Sequence, residues 1–336
     1  MFVTMCLCFS SMDATLGLIG LFYALFWWLL LVSFIGLPVL LIMLSVPAWR
    51  RSLLLHPRKL AAIALVCVPV VGLTVYQMVS SAQDSRARNP RLDHDVQIGN
   101  MALPAGTRLH LSTLEPLDEN GQPQVHGLAS LDRADFAGPH SLAGMQVSAI
   151  KMYRLPETEL LLVGDQVIDG WPCAGGSWLT MTVTEQTRLQ PERWAFGACT
   201  LVGGTRIVGE TWPAESRVYR EDDHYSVSDW MAKEPVSMRG IVLSSVTVKL
   251  DKQRRLLRWD GQLQNPMTLG EWQYPHGMRV GQSHPGTLMF SPSQSYAARN
   301  LRTGEGLKLN HSILQRRSDG SVLWIKPNAE VNVADW

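Results

Sequence analysis

Between Thr15 and Val46 the chain carries no charged side chain. Surface helices of globular proteins keep a polar face, so this absence excludes an ordinary amphipathic helix. A helix rises about 1.5 Å per residue and a bilayer's hydrocarbon core is roughly 30 Å thick. The stretch is longer than one perpendicular crossing needs; tilt, a kink at Pro38 or interfacial ends absorb the excess. A second uncharged run, Leu60–Ser81, is near the length of one crossing. Lysine and arginine are also missing from Met1–Ala14, which excludes a secretory signal with a positive n-region. Cys6 and Cys8 precede the first run, whereas a lipoprotein cysteine would follow it.

Net charge is nearly absent. Thirty basic and 29 acidic residues leave a formal +1, which gives no electrostatic footprint for a nucleic acid. Chemistry-bearing motifs are lacking too. The chain has no HxxxH, HExxH, CxxC, P-loop, GxGxxG or GxSxG pattern, and Gly175-Gly-Ser-Trp178 is not a nucleophile elbow. The expectation is therefore a protein that is not an enzyme, with no cofactor and no metal.

Cysteine is scarce, at five residues. Cys6, Cys8 and Cys67 lie in or beside the apolar runs, and only Cys173 and Cys199 lie beyond them. Two cysteines in an oxidising compartment point to one disulfide, Cys173–Cys199.

What is present organises the chain. The connector between the apolar runs holds Arg50, Arg51, Arg58 and Lys59 and no acid. Cytoplasmic loops retain such residues, so the connector is expected inside and both termini outside. Arg86, Arg88 and Arg91 oppose this weakly, diluted by Asp84, Asp93 and Asp95. The expected plan is an N-terminal segment (1–14), a first transmembrane helix (15–46), a basic cytoplasmic connector (47–59) and a second transmembrane helix (60–81). A linker (82–95) and an extracytoplasmic domain (96–336) complete it. In a Gram-negative cell the protein would sit in the inner membrane with its C-terminal domain in the periplasm.

That domain reads as mainly β. Short runs of Val, Ile, Leu, Thr and Trp alternate with Gly, Pro, Asn and Asp clusters. Three hairpins can be named. Leu109–Leu114 and Gln124–Leu131 flank Asp118–Gly121, Ser245–Leu250 and Arg254–Trp259 flank Asp251–Gln253, and Ile313–Arg316 and Ser321–Ile325 flank Ser318–Gly320. A degenerate repeat runs through the region. An apolar residue stands one or two positions before Gly138, Gly170, Gly209 and Gly270; a Pro-containing bend follows, then Val147, Leu179, Val218 and Val280. The segment beginning at Gly99 fits the second half of the unit. Such units, stacked as degenerate β-hairpin repeats, bury an apolar face that one alone could not. They resemble MORN-type repeats loosely, without the regular aromatic–glycine spacing that would assign the family.

Glu221, Asp222, Asp223 and His224 form the densest polar cluster and the candidate contact for a protein partner; a solvated hairpin turn would look the same. The functional expectation is a membrane-anchored periplasmic protein that captures a protein partner. Its plan resembles that of membrane-anchored immunity proteins that neutralise envelope-targeting bacterial toxins. The alternatives are a structural or assembly subunit of an envelope or secretion complex, and an envelope hydrolase.

Overall fold

In a computed structural model of the chain, the residues described are 57–114, 130–229, 234–282, 284–292 and 297–331, together with 42 and 45–47. The N-terminal segment, nearly all of the first expected span and most of the connector lie outside them. The chain forms two compact units, Met1–Ala87 and Arg88–Trp336.

The first expected contribution of the N-terminal unit is visible only in part. The second apolar run is helical throughout, inside the 32-residue helix α1, Pro57–Arg88. Among the described residues no helix is long and apolar enough to cross a membrane, so the two-helix hairpin is not shown. The described side chains of α1 lie mostly towards its C-terminal end, which closes on Gln83, Asp84, Arg86 and Arg88. These are adequate helix formers, and the helix continues through the first part of the expected linker until Asn89-Pro90, where the proline disfavours it.

The second unit is built almost wholly of antiparallel strands. β1 (Val96–Ile98) and β2 (Met101–Leu103) form a short hairpin before β3 (Arg108–Leu111). β4 (Leu131–Leu142), β5 (Met145–Arg154) and β6 (Glu157–Leu162) follow. A second short hairpin, β7 (Gln166–Ile168) and β8 (Trp171–Cys173), leads to β9 (Trp178–Thr182) and β10 (Ala195–Thr200). A third, β11 (Arg206–Ile207) and β12 (Glu210–Thr211), leads to β13 (Arg217–Arg220) and β14 (His224–Asp229). β15 (Val236–Met238) turns directly into β16 (Ile241–Asp251), followed by β17 (Leu256–Leu263). β18 (Met267–Leu269) and β19 (Trp272–Tyr274) precede β20 (Arg279–Gln282) and β21 (Thr287–Ser291). β22 (Arg299–Asn300), β23 (His311–Arg316) and β24 (Val322–Pro327) complete the order.

The long strands form one sheet in the order β24-β23-β21-β20-β17-β16-β14-β13-β10-β9-β6-β5-β4-β3. The chain meanders across it, and every pairing is antiparallel. Connections at one end of the strands include the tight turns β5–β6, β13–β14, β16–β17, β20–β21 and β23–β24. At the other end the chain makes the short hairpins. Their tips reach back to the tight turns. Arg254, in the β16–β17 turn, donates to the carbonyls of Asp169 (2.6 Å) and Gly170 (2.7 Å) at the β7–β8 tip. Arg317, after β23, donates to the carbonyl of Arg239 at the β15–β16 tip. Gly270, at the β18–β19 tip, packs on Gly320. The hairpins therefore lie across one face of the sheet, and the core is the layer between them.

Strand alternation puts the repeat's apolar residues there. Val147, Leu179, Val218 and Val280 are all fully buried. Among the described residues, Trp212, Trp259, Tyr274 and Phe290 are the largest fully buried side chains, each removing on the order of 150–250 Å² from water. Trp259 Nε1 donates to Gln282 Oε1 at 3.0 Å, and the Tyr274 ring stacks on Phe290 at 3.6 Å.

The repeat needs two corrections. Gly99, Gly170, Gly209 and Gly270 do sit at hairpin tips with positive φ, but Gly138 does not. It lies inside β4, beside the register shift between Asp135 and His140, and the corresponding tip is Ala143-Gly144. The extra residues of a bulge gave Gly138-Pro139 the look of a turn. The tip at Arg239-Gly240, both with positive φ, fills the gap between Gly209 and Gly270 that sequence reading left empty. The named β16–β17 and β23–β24 hairpins form as expected. β3 pairs β4, but its partner starts at Leu131, and the turn at Asp118–Gly121 lies outside the described residues.

The disulfide Cys173–Cys199 is present, with a Cα–Cα distance of 5.7 Å. It ties β8 to β10, one hairpin to the sheet strand beyond it. The linker region is also less free than its composition suggests. Leu92 N–H donates to Thr107 O at 2.9 Å and Leu109 N–H to Pro90 O at 2.9 Å, so residues 90–92 pair with the sheet's edge.

Candidate functional site

The charged cluster singled out from sequence occupies the β13–β14 turn. His224 Nδ1 lies 2.7 Å from Asp223 Oδ1, and its Nε2 lies 2.6 Å from Glu221 Oε2, an ion-pair approach not aligned as a hydrogen bond. Lys249 Nζ, from β16, stands 3.7 Å from the same Glu221 oxygen. Two carboxylates thus share one imidazole and one ammonium, with Asp222 exposed beside them. The hydrogen bond from His224 holds the Asp223 carboxyl below its ordinary range.

An open concavity lies elsewhere, between two neighbouring hairpin tips. The Ala143-Gly144 and Asp169-Gly170 turns stand side by side, clamped by Gln166. Gln166 Nε2 donates to Gln146 O at 2.7 Å, and Gln146 N–H donates back to Gln166 Oε1 at 2.9 Å. The groove has a volume of about 720 Å³. Met145, Ile168, Met181, Trp194 and Phe196 make its floor, and Asp169, Glu192 and Arg220 its rim. Pro191 starts a short 3-10 turn, and Trp194 is fixed by donation from Nε1 to Thr187 O at 2.8 Å. Asp169 is held by Tyr225, whose hydroxyl donates to Oδ2 at 2.7 Å; burial first, and then this contact, raise the Tyr225 pKa. Val167 stands at the mouth, 72% exposed.

Size and lining match sites that take an apolar group and orient it with a few polar contacts. The groove brings no nucleophile to a base. Sequence reasoning missed it because its walls come from five separate segments. One local signal existed: Val167 and Ile168 are adjacent apolar residues in a strand, and alternation cannot bury both. A smaller cavity of about 260 Å³ lies among β14, β16, β17 and β20, where Arg279 Nη2 and Asp260 Oδ2 are 3.1 Å apart. Among the described residues, no group of three His, Cys, Asp or Glu side chains is arranged to hold a metal ion.

No family model matches the chain, and no curated protein matches it. Among solved structures, it aligns with a glycoside hydrolase family 43 arabinoxylan arabinofuranohydrolase from Bacillus subtilis, solved with cellotetraose, at 11% identity. The alignment covers 71% of this chain and 66% of that one, just under two thirds of the enzyme's length, with a TM-score of 0.15. A superposition that poor carries no argument about fold or activity.

Proposed function

We propose that this is a membrane-anchored protein of the bacterial inner membrane whose β-repeat domain, in the periplasm, captures a protein partner. Its most concrete form is an immunity protein against an envelope-targeting toxin. The groove between the two hairpin tips carries the reading: an apolar floor of about 720 Å³ with a charged rim and Val167 exposed at the mouth suits a protruding apolar side chain of a partner. Anchoring is supported by the uncharged run Thr15–Val46 and by α1, where Leu65 is 78% exposed and Leu73 and Met78 are exposed too. Those last two point roughly 140° apart around the axis, so the exposed apolar surface is not one stripe. The disulfide supports an oxidising compartment.

A second reading, a subunit of an envelope assembly, is favoured by one feature. β24 is an edge strand, and its Val322, Leu323 and Ile325 are exposed, which suits strand addition by a neighbour.

Photo-crosslinking in the native host separates them. A crosslinker at Val167 should trap one soluble partner, with little product from the same probe at Leu323. Products only from Leu323, and only membrane subunits, would reject capture in favour of assembly. A periplasm-dependent reporter fused after Trp336 should be active, and one fused between Arg50 and Lys59 inactive; the reverse pattern ends the periplasmic reading.

A further inference from the structure

The sheet has two edges, and the chain treats them differently. At one, β3 is closed. Leu92 N–H donates to Thr107 O and Leu109 N–H to Pro90 O, both at 2.9 Å, and Leu109 and Leu111 are buried. At the other, β24 pairs only with β23 among the described residues. Ile325 stands opposite Ile313, which is fully buried, so it faces the core layer. Yet Ile325 is 44% exposed and its neighbour Leu323 43%. The core layer is open at this end. Arrays of stacked units need a polar cap at each end, and among the described residues this end has none.

Main-chain geometry sets what can cover it. Asn328 N–H, just past the strand, turns inward to Asn310 O at 2.7 Å. Alternation then points the Ile325 N–H and the Leu323 carbonyl outward, away from β23. A second copy of β24, antiparallel about a two-fold axis at Trp324, puts each Ile325 N–H opposite the other's Leu323 carbonyl. Leu323 and Ile325 then lie side by side across the seam. Pro327, which has no N–H, falls opposite Ser321, whose carbonyl is turned inward to Arg316 N–H at 2.9 Å. Lys326, the strand's one charge, falls beside Val322. It stands roughly 13 Å along the strand from its counterpart, beyond a Debye length at physiological salt.

We propose that β24 is a self-association site: a second copy of this chain pairs with it edge to edge, joining the two sheets and closing the open ends of both core layers. The strand's fit to itself selects that occupant. Head-to-tail growth would need a free β3 edge, which residues 90–92 occupy, so the pairing closes as a two-fold dimer. Self-association takes the edge that the assembly reading leaves to an unspecified neighbour, and it is independent of capture by the groove. In the crosslinking experiment above, a product joining this chain to itself at Leu323 belongs here and counts for neither reading.

The test uses the full chain purified in detergent, carrying Cys6→Ser, Cys8→Ser and Cys67→Ser. Light scattering should find a dimer. Trp324 faces its own counterpart in a non-hydrogen-bonded pair, with Cα atoms about 4.5 Å apart, within reach of a disulfide. Under a mild oxidant Trp324→Cys should form covalent dimers and Val322→Cys should not. Ile325→Pro removes an N–H that points away from β23, where an edge strand tolerates proline, and the symmetry removes it twice. That variant should self-associate about tenfold more weakly or worse, with cooperative melting retained. The proposal is overturned by a monomeric full chain, by covalent dimers as abundant from Val322→Cys as from Trp324→Cys, or by a folded Ile325→Pro chain that dimerises as before. Trp324→Cys joined only to a different protein in native membranes also overturns it, and gives the edge to assembly. Should Ile325→Pro not fold, the contrast between the two cysteine variants decides the matter. Each of these failures leaves capture by the groove standing.

Discussion

Gly270 and Gly320 meet where a hairpin tip touches a turn, and neither has room for a side chain. A Cβ on Gly270 would lie 2.5 Å from Gly320 O, and φ at Gly270 is +56°. Gly270→Ala should therefore cost roughly 2–4 kcal/mol in urea denaturation, from backbone strain and the clash together. Gly138 has nothing within 4 Å of its would-be Cβ, so Gly138→Ala should stay within about 0.5 kcal/mol. Equal losses would mean that Gly138 is a tip after all. Asp223 tests the charged turn. Its folded pKa is depressed by the hydrogen bond from His224, so its contribution is present above the unfolded carboxylate value and is lost as pH falls through the folded one. Asp223→Asn should be less stable than the parent at pH 6. The difference should shrink once the pH falls below about 4, where the unfolded carboxyl titrates. A difference that grows towards acid would contradict the assigned pairing.

At the scale of elements, the β7–β8 hairpin is fixed at both ends. Its tip is gripped by Arg254, which bridges two carbonyls and lies 4.4 Å over the Trp171 ring. Arg254 is exposed, so solvent screening limits its value, and Arg254→Ala should cost on the order of 1 kcal/mol. The local consequence should be larger: amide exchange at Ile168–Gly170 should accelerate while β9 and β10 stay protected. Its base is fixed by Cys173–Cys199, which closes a loop with a sequence separation of 26. In the chain-entropy model that bond contributes roughly 3–4 kcal/mol. A Cys173→Ser, Cys199→Ser chain should lose about that much stability. Mass spectrometry after alkylation of the unreduced parent should find neither cysteine labelled. Labelling of both would refute the link between hairpin and sheet.

For the whole molecule, the second unit's boundary follows from the edge of the sheet. Arg88 Nη1 donates to Ser112 O at 3.0 Å and Arg91 Nε to Gly106 O at 3.1 Å, alongside the backbone pairing of residues 90–92. A fragment from Arg88 to Trp336 should fold without detergent and give a β-dominated far-UV spectrum. One starting at Asp93 should melt at a lower temperature, because it leaves the β3 edge unpaired. Identical melting would show that residues 88–92 contribute nothing.

Much of this was legible in the residues themselves. Alternation marked Leu179, Val218 and Val280 as core, Gly-containing turns marked most hairpin tips, and cysteine scarcity left Cys173 and Cys199 with each other. Those features are local: a period of two, a positive φ, a short list of partners. The bulge at Gly138 was misread because a turn and a bulge use the same residues, and the tip at Gly240 was missed because no Pro-containing bend follows it. The grip of Arg254 on Asp169 and the groove beneath Val167 were decided by the tertiary structure alone. Each depends on strand register and on the hairpins folding back across the sheet, which brings together side chains from separate segments that no local pattern connects.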